Sequence, residues 1–376
     1  MRAITPTKIR LRELWFQVHK WLGLTLAALI TPVSLTGSAL VWHDWLDQRL
    51  NPERVVEATP KLPPSAYAQA ARRLAAPGET LASLTFPERE GVVIANLARP
   101  PEPGAGRPVR TILYLHPTDA RLLDKRASNA GPVQVMHVLH GSLMVPGVGR
   151  QVVGWIGVAM LISSLTGLWL WWPLKGRITR GLRWKRQPET SANLHHQGGF
   201  WIALPLAALS FTGAWISFPA FFATLSGDPS GPSPAERARR MAAAPIGTPA
   251  LSPDRALSAA DAHATGPLLT ITWPTEPKAE WKVTYQREGG PAEVTVRDAT
   301  GRAAAPKPPQ PETIARLMRR IHDGTGMGAL WQVIIFIGGI IPAVLAVTGT
   351  MMWLNARRRD RAMRARRTAA RLAPAE

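Results

Sequence analysis

The 376-residue sequence contains no cysteine. That absence excludes disulfides, thiolate zinc sites, Cys-ligated iron–sulfur clusters and covalent c-type haem attachment. A redox metal in this chain must be held by histidine, carboxylate or thioether, and the methionines form no metal-binding cluster. No G-x-G-x-x-G or P-loop follows a strand, and neither H-E-x-x-H nor G-x-S-x-G occurs. The chain therefore carries no nicotinamide dehydrogenase of its own and is no peptidase of those classes. Tyrosine is scarce, 3 residues against 15 Trp, a skew that suits membrane interfaces. Acidic residues are also few, 25 against 45 Lys and Arg.

Charge itself is missing from four long stretches. Lys20 and Asp44 enclose 23 residues without a formal charge, and Arg150 and Lys175 enclose 24. The third stretch runs from Glu189 to Asp228 and the fourth from Asp323 to Arg357. A bilayer crossing needs roughly 20 mainly apolar residues. A core helix of a soluble protein seldom avoids charge for so long, because one face meets water. Four transmembrane helices are expected, at 21–43, 150–173, 195–222 and 329–354. The first reads as an uncleaved span, not a signal peptide. Its apolar part is too long, no A-x-A site follows, and Trp42, His43, Asp44 and Trp45 resemble an interface.

The positive charges are placed unevenly. Residues 1–20, 173–194 and 355–376 hold 5, 6 and 8 Lys and Arg, 19 in all, against 4 acidic residues. The positive-inside rule puts the termini (1–20 and 355–376) and the basic loop 174–194 in the cytoplasm. The long segments, 44–132 with 133–149 and 223–310 with 311–328, then face outward. The net charge of +20 is mainly this topology signal, and no nucleic-acid partner is expected.

Spacing reveals an internal repeat. His19 to Thr36-Gly37 and His195 to Thr212-Gly213 are both 17 residues apart. His140 to Thr166-Gly167 and His322 to Thr348-Gly349 are both 26 apart, and Trp171 aligns with Trp353. The halves read as two parallel copies of one two-helix unit. Each long segment reads as a small α+β module. Helices are expected at 65–75 and 253–263. Strands are expected at 80–86, 91–98 and 110–116, and at 268–273, 281–287 and 292–297, three per module. Pro-, Gly- and Ala-rich linkers lie at 99–108, 226–236 and 303–311.

Four of the nine histidines occupy repeat-equivalent positions before a span: His19, His140, His195 and His322. Topology sorts them into a cytoplasmic-end pair, His19 with His195, and an outer-end pair, His140 with His322. Each pair joins the two halves, as a bis-imidazole haem site between facing helices requires. The plainer alternative is that these are interfacial histidines. Arg10, Arg12, Arg183 or Lys185 inside, and Arg319 or Arg320 outside, are candidates to meet haem propionates. Gly23, Gly37, Gly141, Gly198, Gly199 and Gly213 are candidates for close approach of a flat ring. His137 and His196 are alternative ligands to His140 and His195. His43 and His116 have no repeat counterpart, and His263 is expected at the surface. Trp15, Trp21, Trp42, Trp155, Trp171, Trp172, Trp331 and Trp353 fit interfacial belts, and Pro32, Pro205 and Pro342 fall inside spans.

The runs VHKWLGL at 18–24, VLHGSL at 138–143, NLHHQGGFW at 193–201 and RIHDGTGMG at 320–328 each precede an apolar span ending in Thr-Gly. This pattern resembles the PepSY-associated transmembrane-helix family, iron-regulated bacterial inner-membrane proteins some of which are similar to ferric-siderophore reductases. The resemblance implies PepSY-like periplasmic modules and b-type haem, two per chain, with iron ligated by His19, His195, His140 and His322. It implies reduction of iron in an imported ferric siderophore, with electrons from quinol or a membrane or cytoplasmic reductase. Gly141-Ser142 follows His140 where a basic residue is common in the family. Two other classes stay open: a siderophore or iron permease, and a PepSY-type regulator that binds a peptide or protease.

Overall fold

A computed structural model describes residues 6–100, 108–173, 179, 181–184, 187–227, 236, 243–288, 290–306 and 311–372. Lys185 and most of the three linkers (101–107, 228–235 and 307–310) lie outside the described residues. The chain divides into two compact units. One comprises residues 1–43, 136–229 and 312–376; the other comprises 44–135 and 230–311.

The first unit is helical. Its long helices are α1 (Pro6–Leu40), α5 (Gly149–Trp171), α6 (Thr190–Ser217) and α10 (Gly328–Leu372). All four are long and apolar enough to cross a membrane, so the chain is a multi-pass membrane protein. Helices α1 and α10 outrun the expected spans, α5 matches its span within two residues, and α6 is shifted about five residues toward the N-terminus. With 45 residues, α10 is about 68 Å long and continues through the basic tail. Helices α1, α6 and α10 run through Pro32, Pro205 and Pro342.

Water drives no association between apolar helices in lipid, so close backbone approach and polar contacts must hold them. Glycines supply the approach. A Cβ on Gly339 of α10 would lie 2.5 Å from Ser38 Cβ on α1, and one on Gly157 of α5 would lie 3.1 Å from the Ser210 carbonyl on α6. Ser38 Oγ donates to the Phe336 carbonyl at 2.7 Å. Arg12 donates to the Trp172 carbonyl at 3.2 Å and also to the Leu170 carbonyl, satisfying acceptors left at the end of α5. Trp171 departs from the expected belt. It is buried and stacks on Phe200 at 3.9 Å, whereas Trp21, Trp155 and Trp172 are exposed.

Two short helices precede spans. These are α4 (Pro132–Ser142) before α5 and α9 (Ile314–Asp323) before α10. Thr313 caps α9, its hydroxyl accepting from Arg316 N at 3.2 Å, and Gly324 ends it at φ +78°. After α4 the turn is built differently: Leu143 and Met144 take φ of 50° and 59°, a conformation costly without glycine. Helices α2 (His43–Leu50) and α7 (Pro219–Ser226) follow the first and third spans.

Among its described residues the second unit contains α3 (Pro64–Leu74), α8 (Pro253–Asp261) and eight strands. These are β1 (Thr80–Thr85), β2 (Val93–Ala98), β3 (Arg110–Leu115), β4 (Leu122–Ala127), β5 (Leu268–Thr272), β6 (Glu280–Tyr285), β7 (Ala292–Arg297) and β8 (Ala303–Ala304). Each long segment thus runs helix, then four strands. Instead of two three-stranded sheets there is one antiparallel sheet, ordered β4-β3-β2-β1-β5-β6-β7-β8. The join is β1 on β5, with Leu84 opposite Ile271. Edge physics accounts for the order. β1 and β5 carry no charge and sit at the centre. The edges are β4, with Asp124, Lys125 and Arg126, and the two-residue β8. Because both long segments build one sheet, they lie on the same side of the bilayer. The two crossings between them, α5 and α6, satisfy that requirement.

The sheet's buried face packs against α3 and α8 through Tyr67, Ala71, Leu84, Ala256, Ala260, Ile271 and Trp281. Ser65 N donates to Asp254 Oδ1 at 2.9 Å between the two helices. Asp298 is buried beneath and accepts three bonds: Trp281 Nε1 at 2.8 Å, Ala250 N at 2.8 Å and Leu251 N at 3.0 Å. Asp298→Ala would strand three donors, the buried indole N–H of Trp281 among them. It is expected to destabilise this unit by about 3 kcal/mol, read as a lower midpoint in tryptophan-fluorescence unfolding. An unchanged midpoint would show that water replaces the carboxylate.

Candidate functional site

The helical unit gathers histidines in pairs. His19 of α1 and His195 of α6 have ring centroids 6.2 Å apart with planes at 84°. His140 of α4 and His322 of α9 have centroids 6.0 Å apart with planes at 40°. Each pair takes one member from each half of the sequence.

Each imidazole rests on a helix of its own half, at that helix's Thr-Gly. His19 Nδ1 meets the Ser163 carbonyl at 3.1 Å and Thr166 Oγ1 at 3.3 Å. His322 Nδ1 meets the Leu209 carbonyl and Thr212 Oγ1, both at 3.1 Å. His195 Nδ1 meets Thr348 Oγ1 at 3.1 Å, and His140 Nδ1 meets the Val33 carbonyl at 2.8 Å. Glycine follows each threonine and admits the ring. A Cβ would lie 2.6 Å from His140 Cε1 at Gly37, 3.0 Å from His19 Cε1 at Gly167 and 3.0 Å from His322 Cε1 at Gly213. At Gly349 it would lie 3.2 Å from His195 Cε1. No other residue fits these positions unmoved.

The partners settle the tautomer. A carbonyl only accepts, so the Nδ1 of His19, His140 and His322 must carry hydrogen. A hydroxyl has one proton, and Thr348 spends it on the Val344 carbonyl at 2.7 Å. Thr348 Oγ1 therefore accepts from His195 Nδ1. Thr166 and Thr212 are committed likewise, to Ile162 and Ala208. All four imidazoles hold Nδ1–H and keep the lone pair on Nε2, the state in which histidine ligates metal while its other nitrogen is anchored. His140 and His322 lie on the short helices, and burial pushes both down, His322 to about 4, which keeps them uncharged.

The spacing suits a shared metal atom. Two imidazoles in line on one atom, each bonded at about 2 Å, have centroids about 6.3 Å apart. Among the described residues no group of three or more His, Asp or Glu converges, so each pair supplies two ligands and no more. An apolar groove of about 310 Å³, lined by Trp15, Ile162, Leu165, Thr166 and Trp169, opens beside the His19 seat.

The remaining candidates fall elsewhere. His196 is half-buried and outside the His19 pair, and His137 meets His43, not His322. His116 bonds within its own turn, to Thr118 Oγ1 at 3.0 Å and Asp119 at 3.3 Å. His263 is exposed. Arg320 pairs with Glu312 at 3.0 Å, Arg12 is bound to the end of α5, and Arg10, Arg183 and Arg319 are exposed. Gly37 and Gly213 seat histidines. Gly198 and Gly199 pack against Leu345, while a Cβ on Gly23 or Gly141 would meet nothing within 4 Å. Sequence reasoning used Gly167 and Gly349 only to align the repeat and missed them as seats. Their recurrence after a threonine in every span marked them as special, but the offset pairs Gly167 with His140 and Gly349 with His322, not with the histidines they seat.

In ¹⁵N-histidine spectra of the metal-free full chain, His19, His140, His195 and His322 are expected to show protonated Nδ1, the minority form for imidazole in water. Gly213→Val should push His322 off its seat and return its signal to the ordinary form. Protonated Nε2 in the unmodified protein would contradict the seat geometry.

No curated protein matches the chain. The model of one family does, the PepSY-associated TM region, over residues 16–356. With nearly the whole sequence covered, the chain belongs to the PepSY-associated transmembrane family.

Proposed function

We propose that the protein is a bacterial inner-membrane electron-transfer protein with two b-type haems, which reduces ferric siderophore iron in the periplasm and releases Fe(II). The observation that carries this reading is the double pairing: two imidazole couples near 6 Å, every ring anchored through Nδ1. Interfacial histidines would have no reason to share a tautomer or to pair across the halves. In this reading the chain is two parallel copies of one unit. Both termini are cytoplasmic and the eight-stranded sheet is periplasmic, as the positive-inside rule requires.

Residues of the chain supply position and environment. His19 with His195, and His140 with His322, would hold iron at opposite ends of the spans. Haem, when bound, supplies reversible one-electron chemistry at each position. Ser163, Thr166, Val33, Thr212, Leu209 and Thr348 fix the ring orientations. The apolar faces of α1, α5, α6 and α10 exclude water. Fe(III) in its siderophore is the substrate and takes up one electron; Fe(II) then leaves, because hard oxygen chelators hold it weakly. Quinol or a membrane or cytoplasmic reductase is the donor. A permease would couple transport through a membrane-embedded carboxylate or amine, and the charge-free cores of all four spans disfavour that.

The test is spectroscopic. Protein purified in mild detergent is expected to give a reduced b-type spectrum and, by pyridine haemochrome, two haems per chain. His19→Ala and His322→Ala should each lose one haem, and either should cut periplasmic ferric-chelate reduction at least 100-fold while the protein still inserts. Colourless protein after expression with haem precursor would overturn the reading, as would full haem content in both variants.

A further inference from the structure

The helical unit holds a third imidazole pair. His43 begins α2 and His137 lies on α4; their ring centroids are 5.9 Å apart with planes at 84°. We propose that His43 and His137 form a separate, surface-accessible metal site that takes a borderline divalent transition ion. That the physiological ion is Fe(II) rests on the function proposed above; the site does not.

Edge-to-face aromatic pairs are common packing contacts, so spacing alone is insufficient. Two further observations, taken with the spacing, carry the case. Both rings are exposed, so burial of apolar area is not what gathers them. His43 Nδ1 lies 3.1 Å from the Leu40 carbonyl. A carbonyl only accepts, so this nitrogen is protonated and the lone pair is on Nε2, as in the other four rings. The spacing also suits a bent two-imidazole complex. With bonds of about 2 Å, centroids are about 5.2 Å apart at a tetrahedral angle and about 6.3 Å apart in line. The observed value falls between the two.

The ligand set argues for selectivity. Neutral imidazoles favour Fe(II), Co(II), Ni(II), Cu(II) and Zn(II) over hard cations such as Fe(III) or Mg(II). Among the described residues no third His, Asp or Glu completes the site, which leaves coordination positions for water or a departing chelator. Such a site binds and lets go. His137 stands one helical turn before His140 on α4, and residues three apart on a helix have Cβ atoms about 5–6 Å apart. An ion at this pair is therefore next to the second imidazole couple. Fe(II) freed from an oxygen chelator would exchange hard ligands for nitrogen ligands as it leaves.

The experiment uses the full chain in detergent with whatever haem it carries, titrated with Co(II) by calorimetry and with Fe(II) under anaerobic conditions. The unmodified protein is expected to bind one more Co(II) per chain than the His43→Ala/His137→Ala variant. Each single variant should bind at least 10-fold more weakly, with the visible spectrum and the His140 and His322 resonances unmoved. Equal Co(II) stoichiometry and affinity in the unmodified and double-variant proteins would overturn the proposal. A colourless protein that still loses one Co(II) on double substitution would uphold the site while rejecting the haem reading. Co(II) binding without Fe(II) binding would uphold the site and reject Fe(II) as its ion.

Discussion

The bond from an imidazole Nδ1–H to a neighbouring helix is the interaction on which the helical unit turns. It satisfies a polar group in an apolar setting, where an unmade bond is expensive. It also decides which nitrogen is left to act. Each seat needs a carbonyl or hydroxyl already short of protons and a glycine where a side chain would otherwise stand. Threonine meets the first need by giving its only proton to its own helix. The residue after it meets the second. Four such seats tie α1 to α5, α4 to α1, α6 to α10 and α9 to α6. The same contacts that order the ligands therefore order the helices.

Much of this was legible in the sequence. The spans announce themselves by the absence of charge, and the histidine pairs follow from equal offsets combined with topology. The seats were not legible. The repeat offset links His19 to Thr36 on its own helix, while the actual partner is Thr166, on another. One-dimensional spacing records equivalence between halves, not which helix lies against which. The αL turn at Leu143 and Met144 carried no glycine to mark it. The pairing of His43 with His137 was also hidden, because neither residue has a repeat counterpart.

The sheet shows a different limit. Alternation located six strands but not β4, where the consecutive charges Asp124, Lys125 and Arg126 break the apolar–polar pattern, nor β8, which has two residues. The number of sheets was open to a better reading. Neither Thr80–Thr85 nor Leu268–Thr272 contains a charged residue, and strands without charge make poor edges. Their lack of edge protection indicates that each requires a neighbour on both sides.

That central pairing sets a clock on biogenesis. β1 ends at Thr85 and β5 begins at Leu268, with α5 and α6 encoded between them. At 5–20 residues per second, the ribosome takes about 10–40 s to supply the second strand after the first. Throughout that interval the first four strands present an open, uncharged edge. The sheet closes only after the chain has crossed the bilayer twice more. The uncharged edge is therefore a liability of the topology during synthesis, and any stall between α5 and α6 would leave an adhesive half-sheet exposed.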